Sequence, residues 1–387
     1  AITTGGSNVA VGSGSQDSTT TGSGNVTVGK GSGESLTTGD YNVYIGDSAG
    51  SGLDAEDNNV AIGANALKVT GAIANAVVIG YQALNNDGVT TDANGTVAIG
   101  YQSLKAITSG ANNTAIGYTA LTALTSGASN TAIGYQAGAS SDTNGGNTFI
   151  GHNAGYEADA STVVASNNTY LGAFAGQFLD DGYDNTAIGY GAMISNSDGA
   201  ANAVNRSIAI GRAAMASSVS NDGTIVIGYY AGDHASADVD NAVIIGREAA
   251  RGAMTDAADG TVAVGYNALT ALTSGAGNTA IGYVAGEELV NGGNNTIIGY
   301  SAGMNLDAGE SGNTIIGKGA MQEINNDSVS DCVAIGMDAL KGNVASDGDT
   351  SGVPARSIAI GNGAMSHTNV RGCDSNIALG HNAMDST

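Results

Sequence analysis

Residues 130–138 read Asn-Thr-Ala-Ile-Gly-Tyr-Gln-Ala-Gly, and variants of this stretch recur along the whole chain of 387 residues. Its first five positions form a core that occurs 21 times. The commonest interval between cores is 17 residues, and the others run from 18 to 25. A regular repeat of this kind is typical of solenoid proteins. Positions are counted from the core glycine, position 0, which is residue 12, 29, 46, 63, 80, 100, 117, 134, 151, 172, 189, 211, 228, 246, 265, 282, 299, 317, 336, 361 or 380.

Two positions of each core have the spacing of a β-strand. Position −1 is Ile, Val or Leu in every copy, and position −3 is Val, Thr or Ile. Residues two apart lie on one face of a strand, whereas a helix would need apolar partners three and four apart. The pattern predicts an all-β fold, a β-solenoid of about 21 coils with a 17-residue base period, in one continuous domain over residues 1–387. We expect the −1 and −3 rows to form the core and the coils, about 4.8 Å apart, to build a rod about 100 Å long.

Position −2 lies between these rows and should face the other way, yet it is apolar in almost every copy, most often alanine. A strand that is apolar on both faces is usually covered on both faces. We therefore expect the −2 row to be a chain–chain contact in a parallel homotrimer, the alternative being that a loop of the same chain covers it. Larger side chains in this row include Val78, Phe149, Tyr170, Val226, Ile244, Ile297 and Ile315.

Position −4 is asparagine in 13 copies, and position 0 is always glycine. Stacked asparagine amides can hydrogen-bond to the coils above and below, so we predict an asparagine ladder. An invariant glycine indicates a positive φ or a corner too tight for a Cβ atom.

Position +1 is tyrosine in nine copies and often Lys, Arg, His, Asp or Asn elsewhere, which indicates that it faces solvent. Such a row can stack on sugar rings, or its members can stack on one another as cross-strand neighbours do. Both interpretations remain open for Tyr81, Tyr101, Tyr118, Tyr135, Tyr190, Tyr229, Tyr266, Tyr283 and Tyr300.

The chain is strongly acidic, with 11 Lys and Arg against 35 Asp and Glu and a net charge of −24. Such a charge repels nucleic acids and anionic membranes. No run of about 18 apolar residues occurs, so we expect no membrane insertion. Of the two cysteines, Cys332 and Cys373, we expect neither to have a redox or metal-binding role.

The longer intervals place extra polar residues near 156–167, 194–206 and 341–356, where we expect loop inserts on one side of the solenoid. Acidic loops at 54–57 and 347–349 have carboxylates that can bind calcium, although the known calcium-binding nonapeptide repeat is absent. We expect no cofactor. We also expect no enzymatic activity, because catalysis needs an irregular set of residues and none stands out from the repeat.

Threonine occupies position −3 in eight copies, and flat threonine arrays can organise water. Because −3 shares a face with the aliphatic −1 row, we expect these threonines to be buried, which leaves ice binding as a remote alternative. At the ends, joining the last core glycine, Gly380, to the first, Gly12, would give a spacing of 19 residues, within the native range. This spacing suggests either a segment of a longer fibre or a subunit that stacks head to tail.

The Asn-Thr-Ala-Ile-Gly-Tyr cores at 113–118 and 130–135 resemble repeats of bacteriophage tail-fibre-like proteins and of trimeric autotransporter adhesin heads. The resemblance covers nearly the whole chain. It implies a left-handed β-roll and a trimeric, non-catalytic, surface-exposed fibre used for attachment. The 17-residue period is longer than the usual coil of adhesin heads. We therefore expect a structural fibre or filament subunit that is extracellular, on a cell surface or on a virion, with an adhesin that binds a glycan or a receptor as the alternative.

Overall fold

The computed structural model describes residues 3–156, 165–179, 182–195, 204–217, 220–233, 239–324, 329–342, 355–366 and 375–385. The predicted fold class is confirmed: the chain is an all-parallel β-solenoid with one short strand per repeat, and its only helical elements in these ranges are two single 3₁₀ turns, Thr91–Ala93 and Asp256–Ala258. Each strand covers positions −3 to −1. The strands are β1 Val9–Val11, β2 Val26–Val28, β3 Val43–Ile45, β4 Val60–Ile62, β5 Val77–Ile79, β6 Val97–Ile99, β7 Thr114–Ile116, β8 Thr131–Ile133, β9 Thr148–Ile150, β10 Thr169–Leu171, β11 Thr186–Ile188, β12 Ile208–Ile210, β13 Ile225–Ile227, β14 Val243–Ile245, β15 Val262–Val264, β16 Thr279–Ile281, β17 Thr296–Ile298, β18 Thr314–Ile316, β19 Val333–Ile335, β20 Ile358–Ile360 and β21 Ile377–Leu379.

The chain divides into two compact units, of which unit 1 contains β1–β11 and unit 2 contains β12–β21. Within each unit every strand pairs in parallel with the next, and equivalent positions face each other, as Thr114 faces Thr131. One continuous domain and a left-handed coil stay predictions. The central residues of the three predicted inserts, 157–164, 196–203 and 343–354, lie outside the described residues.

The direction in which the strand residues face differs from the prediction. In β2–β21 the central residue, position −2, is buried, and neither flanking residue is. Ala115 is fully buried, for example, whereas Ile133 is 37% exposed. The predicted core rows −1 and −3 therefore lie on the outside of the sheet. The reason is that the interior of a 17-residue coil is narrow. The part of each coil that lies opposite the strand covers the −2 row of the same chain.

The predicted chain–chain contact through position −2 is wrong for the same reason. The seven side chains predicted to form this contact are at most 3% exposed within their own chain, so they are not available to a partner: Val78, Phe149, Tyr170, Val226, Ile244, Ile297 and Ile315. The homotrimer itself stays a prediction, but the −2 row is not its interface.

The interior contains −2 side chains from the strand, side chains at +3 and +4, and buried loop residues such as Leu36, Ile107 and Leu124. Wherever −2 is Ile, Phe or Tyr, position +4 of the preceding copy is glycine. A Cβ atom on Gly138 would lie 2.6 Å from the Phe149 ring of the next coil, and one on Gly286 would lie 3.0 Å from Ile297. Where neighbouring −2 residues are alanine, as Ala115 and Ala132 are, a larger side chain, Leu121, occupies +4 and is also buried. Large and small residues thus alternate between coils to give close packing.

The core glycine meets both requirements predicted for it. Its φ lies between +126° and +147° in the 21 copies, a region that side chains disfavour. A Cβ atom on Gly63 would also lie only 2.7 Å from the carbonyl oxygen of Gly80 in the next coil. The distance between coils therefore excludes every other residue at this corner.

We expect Phe149→Ala to lower the free energy of unfolding by about 3–5 kcal/mol, because it leaves a cavity. Gly138→Leu should also destabilise the chain, because its side chain would collide with the ring. In the double variant the leucine enters the space left by the ring, so the loss should fall short of the sum of the single losses by at least about 1 kcal/mol. Urea denaturation followed by circular dichroism measures the three values.

Gly31→Ser is the control for Gly138→Leu, because it separates backbone strain from collision. Gly31 also has a positive φ, but its added Cβ would have no neighbour closer than 3.5 Å. Strictly additive losses for Gly138→Leu and Phe149→Ala would contradict the packing described.

Candidate functional surfaces

Buried asparagines at −4 connect the coils inside each unit. The Asn130 amide group donates a hydrogen bond to Asn144 O at 2.7 Å and another to Asn113 Oδ1 at 3.1 Å. Its own Oδ1 accepts the backbone N–H of Asn147 at 3.0 Å. The predicted ladder therefore exists, and most of its bonds join an amide to the backbone of the next coil. Threonine can take the same place, since Thr224 Oγ1 donates to Val239 O at 2.8 Å and accepts the N–H of Ala242 at 3.3 Å.

The aromatic residues at +1 stack on one another in unit 1. The rings of Tyr101 and Tyr118 are 4.9 Å apart with an interplanar angle of 7°, and those of Tyr118 and Tyr135 are 5.2 Å apart at 7°. Tyr81 and His152 extend the stack at its two ends. Each inner ring is thus covered by neighbours on both faces, which corresponds to the self-stacking alternative.

In unit 2 cations take part in the same row. The Arg212 guanidinium lies 5.6 Å from the ring centre of Tyr190 and 5.9 Å from that of Tyr229. Arg247 lies 5.6 Å from Tyr229 and 5.7 Å from Tyr266, a spacing at which cation–π attraction operates. From Tyr266 the row continues through stacked Tyr283 and Tyr300 to Lys318. In the sequence these arginines indicate only that position +1 faces solvent, although their place at +1 puts them in line with the tyrosines.

This geometry limits what the +1 row can bind. Most of these tyrosines are about half-exposed, with Tyr118 at 47% and Tyr300 at 54%, yet both faces of each inner ring are covered by a neighbouring ring or cation. A sugar that stacks on a tyrosine needs a free ring face. Binding of glycans by stacking is therefore confined to ring faces at the ends of each stack.

The −3 and −1 side chains form a second surface, which we call the outer face. Threonine occupies −3 in five consecutive strands, β7–β11, and in β16–β18. The predicted burial of these threonines is wrong, because each of them is at least partly exposed. Ice binding itself stays a prediction.

The acidic loop at 54–57 uses carboxylates to hold its own backbone. Glu56 Oε2 accepts the N–H of Asp54 at 2.8 Å and that of Ala55 at 3.0 Å. In the described part of the chain no group of three or more His, Cys, Asp or Glu side chains is placed to hold a metal ion. Calcium binding stays a prediction, and the loop at 347–349 lies outside the described residues.

Glu310 is a buried acid that the sequence pattern did not identify. Its side chain is fully buried, and its carboxyl oxygens have no hydrogen bond of normal geometry to the described residues. Burial, and then the neighbouring Asp307, raise the pKa of Glu310 to about 8. The carboxyl group is therefore mostly protonated at neutral pH.

Cys332 is buried, and Cys373 lies outside the described residues. Within those residues we find no helix of the length and apolarity needed to cross a membrane. The fold and its rows define a β-solenoid repeat protein. No protein-family model matches the chain, and no curated protein matches it either.

We expect Asn130→Ala to lower the free energy of unfolding by about 2–4 kcal/mol, because it leaves the buried N–H of Asn147 and carbonyl of Asn144 without partners. Asn130→Thr, which copies the arrangement at Thr224, should cost less than half as much. Urea denaturation of both variants tests this expectation, and equal losses would contradict a hydrogen-bonding role for the ladder.

The raised pKa of Glu310 predicts a stability that depends on pH. Because the folded chain holds the proton up to about pH 8 and the unfolded chain releases it near 4.5, this contribution is complete below about 4.5 and is lost as the pH rises to about 8. Glu310→Gln, which stays neutral, should unfold at the same temperature as the native chain near pH 4.5 and at a higher one at pH 8. A melting-temperature difference that does not change with pH would show that Glu310 is not protonated in the folded state.

Proposed function

We propose that the chain is a non-catalytic structural element of an extracellular fibre or filament, a rod or shaft that serves attachment at a cell or virion surface. The observation that supports this proposal most directly is the continuity of contacts within each unit. Backbone pairing and the glycine corner repeat from coil to coil, and the asparagine and aromatic rows run through several successive coils. These contacts extend and stiffen the stack.

Physical considerations agree with a structural role. In a solenoid each coil contacts only its neighbours, so stability grows with the number of coils. A net charge of −24 keeps such a surface soluble and opposes disordered clumping. The resemblance to tail-fibre-like and adhesin-head repeats supports the surface location, and the partner we propose first is another copy of the chain, including head-to-tail stacking.

Electron microscopy of the purified chain, combined with a glycan array, tests this role. We expect elongated particles or fibres and no specific glycan binding. Tyr118→Ala removes two stacking contacts, so it should lower stability by about 1–3 kcal/mol without changing binding. Compact particles would contradict the rod. Saturable binding of a glycan that Tyr118→Ala abolishes would contradict the purely structural role and favour the adhesin.

A further inference from the structure

The outer face is an uncharged, largely apolar strip that the described residues leave partly exposed. In all 21 copies −3 is Val, Thr or Ile and −1 is Ile, Val or Leu. Among the isoleucines, Ile45, Ile133 and Ile281 are 37–39% exposed although they lie inside a ladder with strands on both sides. A continuous apolar patch of more than a few hundred Å² marks an interaction site on a soluble protein.

The area of this strip is sufficient for a specific interface. In unit 1, ten strand spacings of about 4.8 Å and a strand length of about 10 Å give a flat area of about 500 Å². Two such faces packed together bury about 1,000 Å², the size at which specific interfaces begin. Unit 2, with ten strands, presents a face of similar size.

Charge favours this face over the rest of the surface as a contact between acidic chains. Two copies that each carry −24 repel each other wherever carboxylates approach. The outer face has no carboxylate at any of its positions, so it is the part of the repeat on which two copies can pack without placing acids in the contact.

The axial repeat of the side chains on the outer face indicates which partner fits it. Side chains of the outer face repeat once per strand, in register, over the whole ladder of each unit. A facing surface with a different repeat loses register after a few strands, whereas a second solenoid with the same rise interdigitates along the full length. Two sheets pack in this way about 10 Å apart.

We propose that a second copy of this chain covers the outer face, sheet against sheet. The proposal rests on the proposed structural role, because it names the partner that would give the fibre its thickness. The interface consists of the aliphatic −1 row with the threonines and valines at −3, and the +1 row lies beside it.

The experiment compares two fourfold lysine variants of the full chain by light scattering coupled to size-exclusion chromatography. Lysines on alternate strands of the outer face avoid like charges on adjacent strands, as in Ile99→Lys, Ile133→Lys, Ile281→Lys and Ile316→Lys. The control places four lysines at exposed loop positions outside the strands: Ser126→Lys, Ala128→Lys, Ala253→Lys and Ala276→Lys.

The native chain and the loop variant should have a mass that is a multiple of the chain mass, and the outer-face variant should have the mass of one chain. All three should give the same β-type circular dichroism, because the isoleucines lie outside the core. Since both variants reduce the net charge equally, only the change at the outer face explains a difference in mass between them.

A native chain that is monomeric, or an outer-face variant whose mass is unchanged, would overturn the proposal. Elongated monomers in the microscope would contradict the contact between copies while leaving the structural role intact. Compact particles would contradict both the contact and the structural role. If the native chain were a monomer that slows ice growth, and the outer-face variant did not slow it, the outer face would bind ice and not a second copy.

Discussion

The distance between successive core glycines governs the rest of the structure. Each glycine corner lies so close to the carbonyl of the next that no Cβ atom fits between them, as at Gly63 and Gly80. One axial step is thereby imposed on every row of side chains. At that step the amide of Asn130 reaches the backbone of the next coil, and the rings of Tyr101 and Tyr118 stack at 4.9 Å. Hydrogen bonding, stacking and packing are three results of one spacing.

Much of the fold could be predicted from sequence because its signals are local and repeated. The strands, the parallel stacking, the glycine corner and the asparagine ladder all follow from residue types at fixed positions. The predicted orientation of the strands is wrong, because a row that is always aliphatic at −1 and always β-branched at −3 is typical of a core and here lies outside it. A better signal was present: glycine at +4 precedes every Ile, Phe or Tyr at −2, as Gly138 precedes Phe149. Only side chains that touch inside the molecule would compensate in size in this manner.

The surfaces were predicted less completely, for reasons that differ between them. Position +1 was correctly placed in solvent, but the insertion of Arg212 and Arg247 between tyrosines depends on ring orientation, which no spacing reveals. Glu310 lies in a loop without a repeated pattern, so its burial could not be anticipated. The outer face was hidden by the error in strand orientation, and its correction turns the supposed core into the surface that is open to a partner.

The alternation of bulky and small side chains inside the solenoid has an evolutionary consequence. A coil such as the one with Phe149 can be duplicated or moved only together with a predecessor that lacks a side chain at +4, as Gly138 does. Repeats that look interchangeable in sequence therefore have preferred neighbours. Recombination between copies would lengthen or shorten the molecule in whole turns, but it would preserve stability only at junctions where the two interiors match.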